Sequence, residues 1–195
     1  GKPLNDQELL NATYSGPFVT AAKAVFSNST NANMNKWKHF VDGDEKRQAI
    51  FAKALEWVSK GHVKNYMKDH RYNADISEIT AYFNSVMNWI DGVFKDVKKE
   101  MRGVEWGRLY ELYHDKPYSP DDVWDRVEAL YADADNDIVK NRKNIFEYIL
   151  GGETDRKLLK IRIFKEAVAK HVYRKQTEEA MRKGISNCPD CVLAH

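Results

Sequence analysis

Residues 75–102 read DISEITAYFNSVMNWIDGVFKDVKKEMR and carry the clearest helical pattern in the chain. Apolar residues recur through this segment at steps of three and four: Ile76, Ile79, Phe83, Val86, Met87, Ile90, Val93, Phe94, Val97 and Met101. Such spacing places apolar side chains on one face of an α-helix. The pattern predicts one long helix over 75–102 that packs against several partners and ends at Gly103.

The segments on either side show shorter helical patterns. The sequence predicts helices between Asn5 and Gly16, over 18–26, from Asn35, over 44–60, around 106–113, from Ser119-Pro120 onward, over 137–150 and over 165–182. Only 10 Gly and 5 Pro interrupt 195 residues, which is natural for helices. We therefore predict an all-α fold, a bundle of roughly eight to ten helices with one long central helix and a short Cys-x-x-Cys turn at the C-terminus.

Gly151-Gly152 is the clearest break in the chain, and it predicts a boundary between a helical domain, 1–150, and a basic helical linker, 151–195. The apolar residues of 158–164 fit neither the strand period nor the helix period, and we expect a turn or short helix there.

The charged residues are also distributed unequally along the chain. Residues 1–139 carry 18 Lys+Arg and 22 Asp+Glu, whereas residues 140–195 carry 13 and 7. A basic end on a mildly acidic body is typical of a surface that faces a polyanion.

Hydropathy argues against a membrane partner. No apolar run approaches the roughly 20 residues that cross a bilayer, and the N-terminal residues lack the apolar core of a secretory signal. These features predict a cytoplasmic protein.

The two cysteines form the sharpest motif, Asn187-Cys188-Pro189-Asp190-Cys191. Two thiolates at this spacing can bind one Zn²⁺, each at about 2.3 Å. The ion needs two more ligands and only His195 follows, so the zinc site is either half present or not a site. A redox pair is a weaker interpretation because no predicted strand precedes the motif. Inert thiols are the remaining alternative.

Basic residues before the cysteines are candidates for contact with nucleic-acid phosphates. The candidates are Arg162, Lys165, Lys170, Arg174 and Lys175. A solvated helix face explains the same residues equally well. We predict no catalytic residue: the histidines are scattered, and a zinc deaminase would need Glu two residues after a histidine, which those at 39, 62, 70, 114 and 171 lack.

The run from Leu158 to Cys191, in which Tyr173-x-x-Gln176 leads into the Cys pair, resembles the beginning of an HNH endonuclease module. The resemblance implies that Cys188 and Cys191 are structural zinc ligands completed by a second pair downstream. It also implies a catalytic His in a ββα-metal hairpin beyond them, acting with a divalent metal.

The opening run, Pro3-Leu4-Asn5-Asp6-Gln7-Glu8-Leu9-Leu10-Asn11-Ala12, resembles the start of the helical half of bacterial proteins that join a ParB/sulfiredoxin-like domain to an HNH nuclease. The GmrSD modification-dependent restriction system is a relative of that group. The resemblance implies a nucleotide-binding domain upstream, because the Asp-Gly-Gln-Gln-Arg motif of the family does not occur here.

Together these features predict the helical scaffold of a DNA-directed HNH-type endonuclease of a restriction or anti-phage system, truncated at both ends and inactive alone. Its partner is then DNA, and we allow for a homo-oligomer. A helical protein-interaction module without a nucleic-acid role is the alternative. A small helical enzyme would require a deep pocket lined by convergent polar groups.

Overall fold

The computed structural model describes residues 3–44, 46, 48–135, 138–161 and 166–185, with the backbone alone for 166–171. It confirms the all-α prediction, since these ranges form ten α-helices and no β-strand. The helices are α1 (Asp6–Thr13), α2 (Pro17–Phe26), α3 (Met34–Trp37), α4 (Ala49–Val58), α5 (Val63–His70), α6 (Ser77–Val93), α7 (Trp106–Tyr113), α8 (Pro120–Asp135), α9 (Ile145–Leu150) and α10 (Glu166–Lys183). Short 3-10 segments lie at Lys99–Met101, Arg142–Asn144 and Arg156–Leu159.

Helix ends follow the capping signals in the sequence. The side chain of Asn5 accepts a hydrogen bond from the Glu8 backbone N–H at 2.8 Å, and the Glu8 carboxylate accepts one from the Asn5 N–H at 2.7 Å. This capping box satisfies two of the donors that a helix N-terminus leaves free. Ser119 and Pro120 likewise mark the start of α8, where the Asp122 N–H lies 3.4 Å from the Ser119 hydroxyl. Both predicted starts are confirmed.

Two aromatic clusters fill the core around α6. In the first, Phe83 stacks on Trp57 of α4 with ring centroids 5.2 Å apart and meets Phe26 edge-on at 5.3 Å. In the second, Phe94 and Trp106 pack at 5.7 Å, and Phe94 also meets Phe146 at 5.7 Å. Phe83 and Trp106 are fully buried. The apolar faces predicted from helical spacing therefore meet in the interior.

The predicted helix over 75–102 is wrong in its extent. Helix α6 ends at Val93, and Phe94 adopts an extended backbone, with φ −110° and ψ 128°. The chain then bends into the 3-10 segment Lys99–Met101, where Met101 is fully buried. The apolar residues after Val93 keep helical spacing in the sequence, but Phe94 and Met101 are buried by the bend.

Contacts divide the chain into two compact units, Gly1–Lys160 (unit 1) and Ile161–His195 (unit 2). The Gly-Gly break does end α9 at Leu150 as predicted. The residues after it still pack within unit 1, because Leu159 is buried and its carbonyl accepts hydrogen bonds from the N–H groups of Lys140 and Asn141 at 3.1 and 3.2 Å. The 3-10 segment at Arg156–Leu159 fits the short helix or turn predicted for the start of 158–164, whereas 162–165 lie outside the described residues.

Among the described ranges, no helix is both long enough and apolar enough to cross a membrane.

Candidate nucleic-acid interface

Helix α10 is the described part of unit 2 that carries three of the predicted basic residues, Lys170, Arg174 and Lys175. It spans Glu166–Lys183, close to the predicted 165–182. A Schellman motif ends it: the Gly184 N–H donates to the Met181 carbonyl at 3.2 Å and the Ile185 N–H to the Ala180 carbonyl at 3.0 Å. Gly184 has φ +66°, a conformation that glycine adopts without strain. The helix therefore ends at Lys183, and the glycine that follows allows the turn that ends it.

The structure places some of the predicted interface residues and not others. Arg174 and Lys175 are exposed on α10. Arg162 and Lys165 lie outside the described residues, as does the side chain of Lys170. The predicted zinc ligands Cys188 and Cys191, with the predicted Cys-x-x-Cys turn, also lie outside them.

The exposed charges of α10 are mixed rather than uniformly basic. Lys175 and Arg182 are seven residues apart and therefore lie on nearly the same side of the helix. Lys183 instead pairs with Glu179 at 2.6 Å, and this hydrogen bond lowers the pKa of Glu179. Arg174, Lys175 and Arg182 are therefore the exposed cations of α10 that a polyanion could contact, with the exposed Glu178 between Arg174 and Arg182.

Large apolar side chains are also exposed on α10. Tyr173 is 65% exposed and Met181 is 75% exposed, and Val172 and Ile185 are exposed as well. Tyr173 adjoins Arg174 and can stack on a base or pack on a protein partner.

A cleft lies between α4, α6 and α7 in unit 1. It encloses about 430 Å³, and Trp57, Gly107 and Leu112 form its apolar side. On its rim, Glu111 accepts hydrogen bonds from the Lys60 ammonium at 2.8 Å and the Tyr82 hydroxyl at 2.5 Å.

These contacts fix the ionisation of the cleft residues. The hydrogen bonds from Lys60 and Tyr82 lower the pKa of Glu111, while burial and the bond to Glu111 raise the pKa of Tyr82. Both pKa values move away from neutrality, which is the opposite of what a general acid or base requires. Neither Glu111 nor Tyr82 is therefore poised as a general acid or base near neutral pH.

No group of three or more His, Cys, Asp or Glu side chains that could hold a metal ion forms within the described ranges.

A basic groove, which sequence reasoning missed, lies in unit 1. It has a volume of about 820 Å³ and is lined by Asn35, Lys38, His39, Asp96, Val97, Lys98, Lys99 and Arg102. One wall is formed by Asn35 of α3 with Lys38 and His39 just after it. The other wall is formed by residues of the bend after α6. The Lys98-Lys99 doublet is the only local signal in the sequence, because the two walls are about 60 residues apart and only folding joins them.

Searches of protein-family models, curated proteins and solved structures found no match for the chain. The fold and the described surfaces define an all-helical protein with a basic C-terminal helix and a basic groove.

Proposed function

We propose that this chain is the helical scaffold of a DNA-directed HNH-type endonuclease of a restriction or anti-phage system. The observation that carries the proposal is the arrangement of unit 2: the basic helix α10 ends in a defined turn at Gly184, and Cys188-x-x-Cys191 follows at once in the sequence. The resemblance to the beginning of an HNH module rests on the same run of residues.

In this proposal each part of unit 2 has one task. Arg174 and Lys175 neutralise DNA phosphates, and Arg162, Lys165 and Lys170 are proposed to bind phosphates as well. Cys188 and Cys191 supply two thiolates to a structural zinc ion, which would tie the end of α10 to the nuclease module. No residue of this chain is proposed as catalytic. The resemblance assigns cleavage, a nucleotide-binding function and the divalent metal to domains other than this helical scaffold.

DNA binding by this chain tests the proposal. Fluorescence anisotropy of a labelled duplex, measured from low to moderate salt, should show an affinity that falls steeply as salt rises. The double variant Arg174→Glu/Lys175→Glu should weaken binding roughly tenfold and lower the magnitude of the slope of log Kd against log salt by about 2. An absence of binding at low salt would overturn the DNA role.

A matched control separates local contact from net charge. Lys64 and Lys68 are exposed on α5, and Lys64→Glu/Lys68→Glu changes the net charge by the same amount. If this control weakens binding as much as the α10 variant, the effect is a general one and α10 is not the interface.

The second candidate is a protein-interaction module, and the exposed apolar side chains of α10 favour it. Tyr173 and Met181 would bury a large apolar area against a partner helix or a second copy of the chain. This alternative predicts that Met181→Lys abolishes a concentration-dependent increase in mass measured by light scattering. Neither the unaltered chain nor the Met181→Lys variant would then bind DNA.

A further inference from the structure

We infer that the basic groove of unit 1 is a second nucleic-acid site, which binds the phosphodiester backbone of DNA. The inference rests on the proposed function for the choice of DNA as the polyanion. It adds a surface that the resemblance does not imply and that lies in a different unit from α10.

The charges that line the groove are strongly unequal. Of its eight lining residues, four are Lys or Arg and one is an acid, Asp96. Asp96 turns one carboxylate oxygen to the N–H of Val97 at 2.7 Å, so part of its hydrogen-bonding capacity is already used. His39 adds an imidazole that can donate to an anion.

Arg102 and Lys98 pair with carboxylates outside the lining, and each cation keeps further N–H donors when it pairs with one carboxylate. Arg102 contacts Asp42 through Nε at 3.2 Å and the Gly43 carbonyl through Nη2 at 3.2 Å. Asp42 is highly exposed, so solvent screens this pair. Because a guanidinium has five N–H donors, Arg102 can keep both contacts and still donate to a phosphate.

Lys98 is held in a similar way. Its ammonium lies 2.6 Å from the Glu128 carboxylate. The ring centres of Trp124 and Tyr131 are 5.3 and 5.1 Å from the same ammonium. These three residues belong to α8 and none of them lines the groove, so the ammonium of Lys98 is already paired and contributes to the groove as a nearby charge.

The two walls of the groove are tied together by main-chain contacts. The N–H of Gly103, just after Arg102, donates to the carbonyl of Phe40, just after His39, at 2.9 Å. Gly103 has φ +73°, and a Cβ there would lie 2.9 Å from the Asp42 Cβ. The basic groove is therefore preformed, with its walls held by the fold.

The composition of the groove favours a phosphate backbone over a nucleotide or an exposed base. Its lining contains no Phe, Tyr or Trp on which a base could stack. Val97, which is 40% exposed, offers an apolar contact to a sugar between the cations. Duplex DNA carries one charge per about 1.7 Å of its axis, which suits several cations spread along an open groove.

The test uses the full 195-residue chain and the anisotropy assay on the same labelled duplex. Lys38→Glu/Lys99→Glu should raise Kd roughly tenfold and lower the magnitude of the salt slope by about 2, whereas Lys38→Gln/Lys99→Gln should have a smaller effect of the same sign. The control is Lys64→Glu/Lys68→Glu. Tyr66 of α5 bonds Glu78 at 2.9 Å, near the beginning of α6, whereas the groove lies beyond the opposite end of that helix. Circular dichroism and the unfolding midpoint confirm that each variant is folded.

The outcomes separate this inference from the proposed function. Weaker binding from the groove variant and not from the control supports the inference. An unchanged Kd in the groove variant, with weaker binding in the α10 variant, overturns it and leaves the proposed function standing. An absence of DNA binding in the unaltered chain overturns both. Vesicles with anionic lipid distinguish the source of the phosphate: loss of vesicle binding in the groove variant, with an unchanged Kd for DNA, also overturns the inference.

Discussion

Gly107 is a buried position at which the core leaves no room for a side chain. A Cβ at Gly107 would lie 2.4 Å from Cδ1 of Trp57, which is buried and stacked against Phe83. We expect Gly107→Ala to lower the free energy of unfolding by about 1–3 kcal/mol, because the indole must move within a packed cluster. Urea unfolding followed by tryptophan fluorescence measures the change.

Gly92 provides the matched control for this substitution. It lies inside α6, and a Cβ there would have no heavy atom within 4 Å. Gly92→Ala should therefore stabilise the protein by about 0.5–1 kcal/mol, since alanine is the better helix former. A neutral Gly107→Ala would contradict the packing described around Trp57, and a destabilising Gly92→Ala would contradict the open space described at Gly92.

The ion pair between Glu153 and Arg126 predicts how the folding stability depends on pH. Glu153 follows the Gly-Gly turn and binds Arg126 of α8 through both carboxylate oxygens, with the Nε–Oε1 distance 2.6 Å. The hydrogen bonds from Arg126 lower the pKa of Glu153. A lowered pKa in the folded state adds stability above the unfolded pKa of about 4.3, and this stability is lost as the pH falls through the folded value.

Glu153→Gln removes this contribution. At pH 7 the variant should be less stable by no more than about 1 kcal/mol, because the pair is partly exposed. Between pH 6 and pH 3 the unaltered protein should lose more stability than the variant, so that the two unfolding midpoints converge. Midpoints that stay equally separated across this range would show that the pair contributes nothing.

At the scale of the element, α6 shows where sequence periodicity stops being informative. The pattern correctly predicts the buried face from Ile79 to Val93, because helical spacing and burial coincide there. It continues past Val93 because Phe94 and Met101 are also buried, but against Trp106 and its neighbours. Apolar spacing records that residues are buried and does not record which backbone conformation buries them.

The bend after α6 has a direct test. In a continuous helix, Phe94 and Val97 would share one face and truncation of each would be costly. In the structure Phe94 is 4% exposed and Val97 is 40% exposed. Phe94→Ala should therefore cost about 3–5 kcal/mol, and Val97→Ala about 0.5 kcal/mol or less, both measured by urea unfolding. Comparable losses would favour the longer helix.

At the scale of the whole molecule, the sequence predicts the fold class better than it predicts the charged surfaces. The all-α fold and the positions of most helices follow from spacing and capping. The basic groove does not, because Lys38 and Arg102 are distant in sequence and their approach depends on contacts such as that between Phe40 and Gly103. A basic run such as that in 151–195 is visible in sequence, whereas a basic surface assembled by folding is not.

The limit of unit 1 provides the last prediction. All five tryptophans lie before residue 125, so their fluorescence reports on unit 1. The sequence places a boundary at 150, whereas residues 151–160 carry the buried Leu159 and the carbonyl that accepts from Lys140 and Asn141. A chain of residues 1–160 should therefore unfold cooperatively. A chain of residues 1–150 should be less stable by about 2–5 kcal/mol, because it loses one buried leucine. The loss of the two hydrogen bonds to the Leu159 carbonyl would lower its stability further. Equal urea midpoints would place the boundary at the Gly-Gly turn. If 1–160 is the folded unit, it retains the basic groove without α10, so the DNA affinity left in it measures the groove alone.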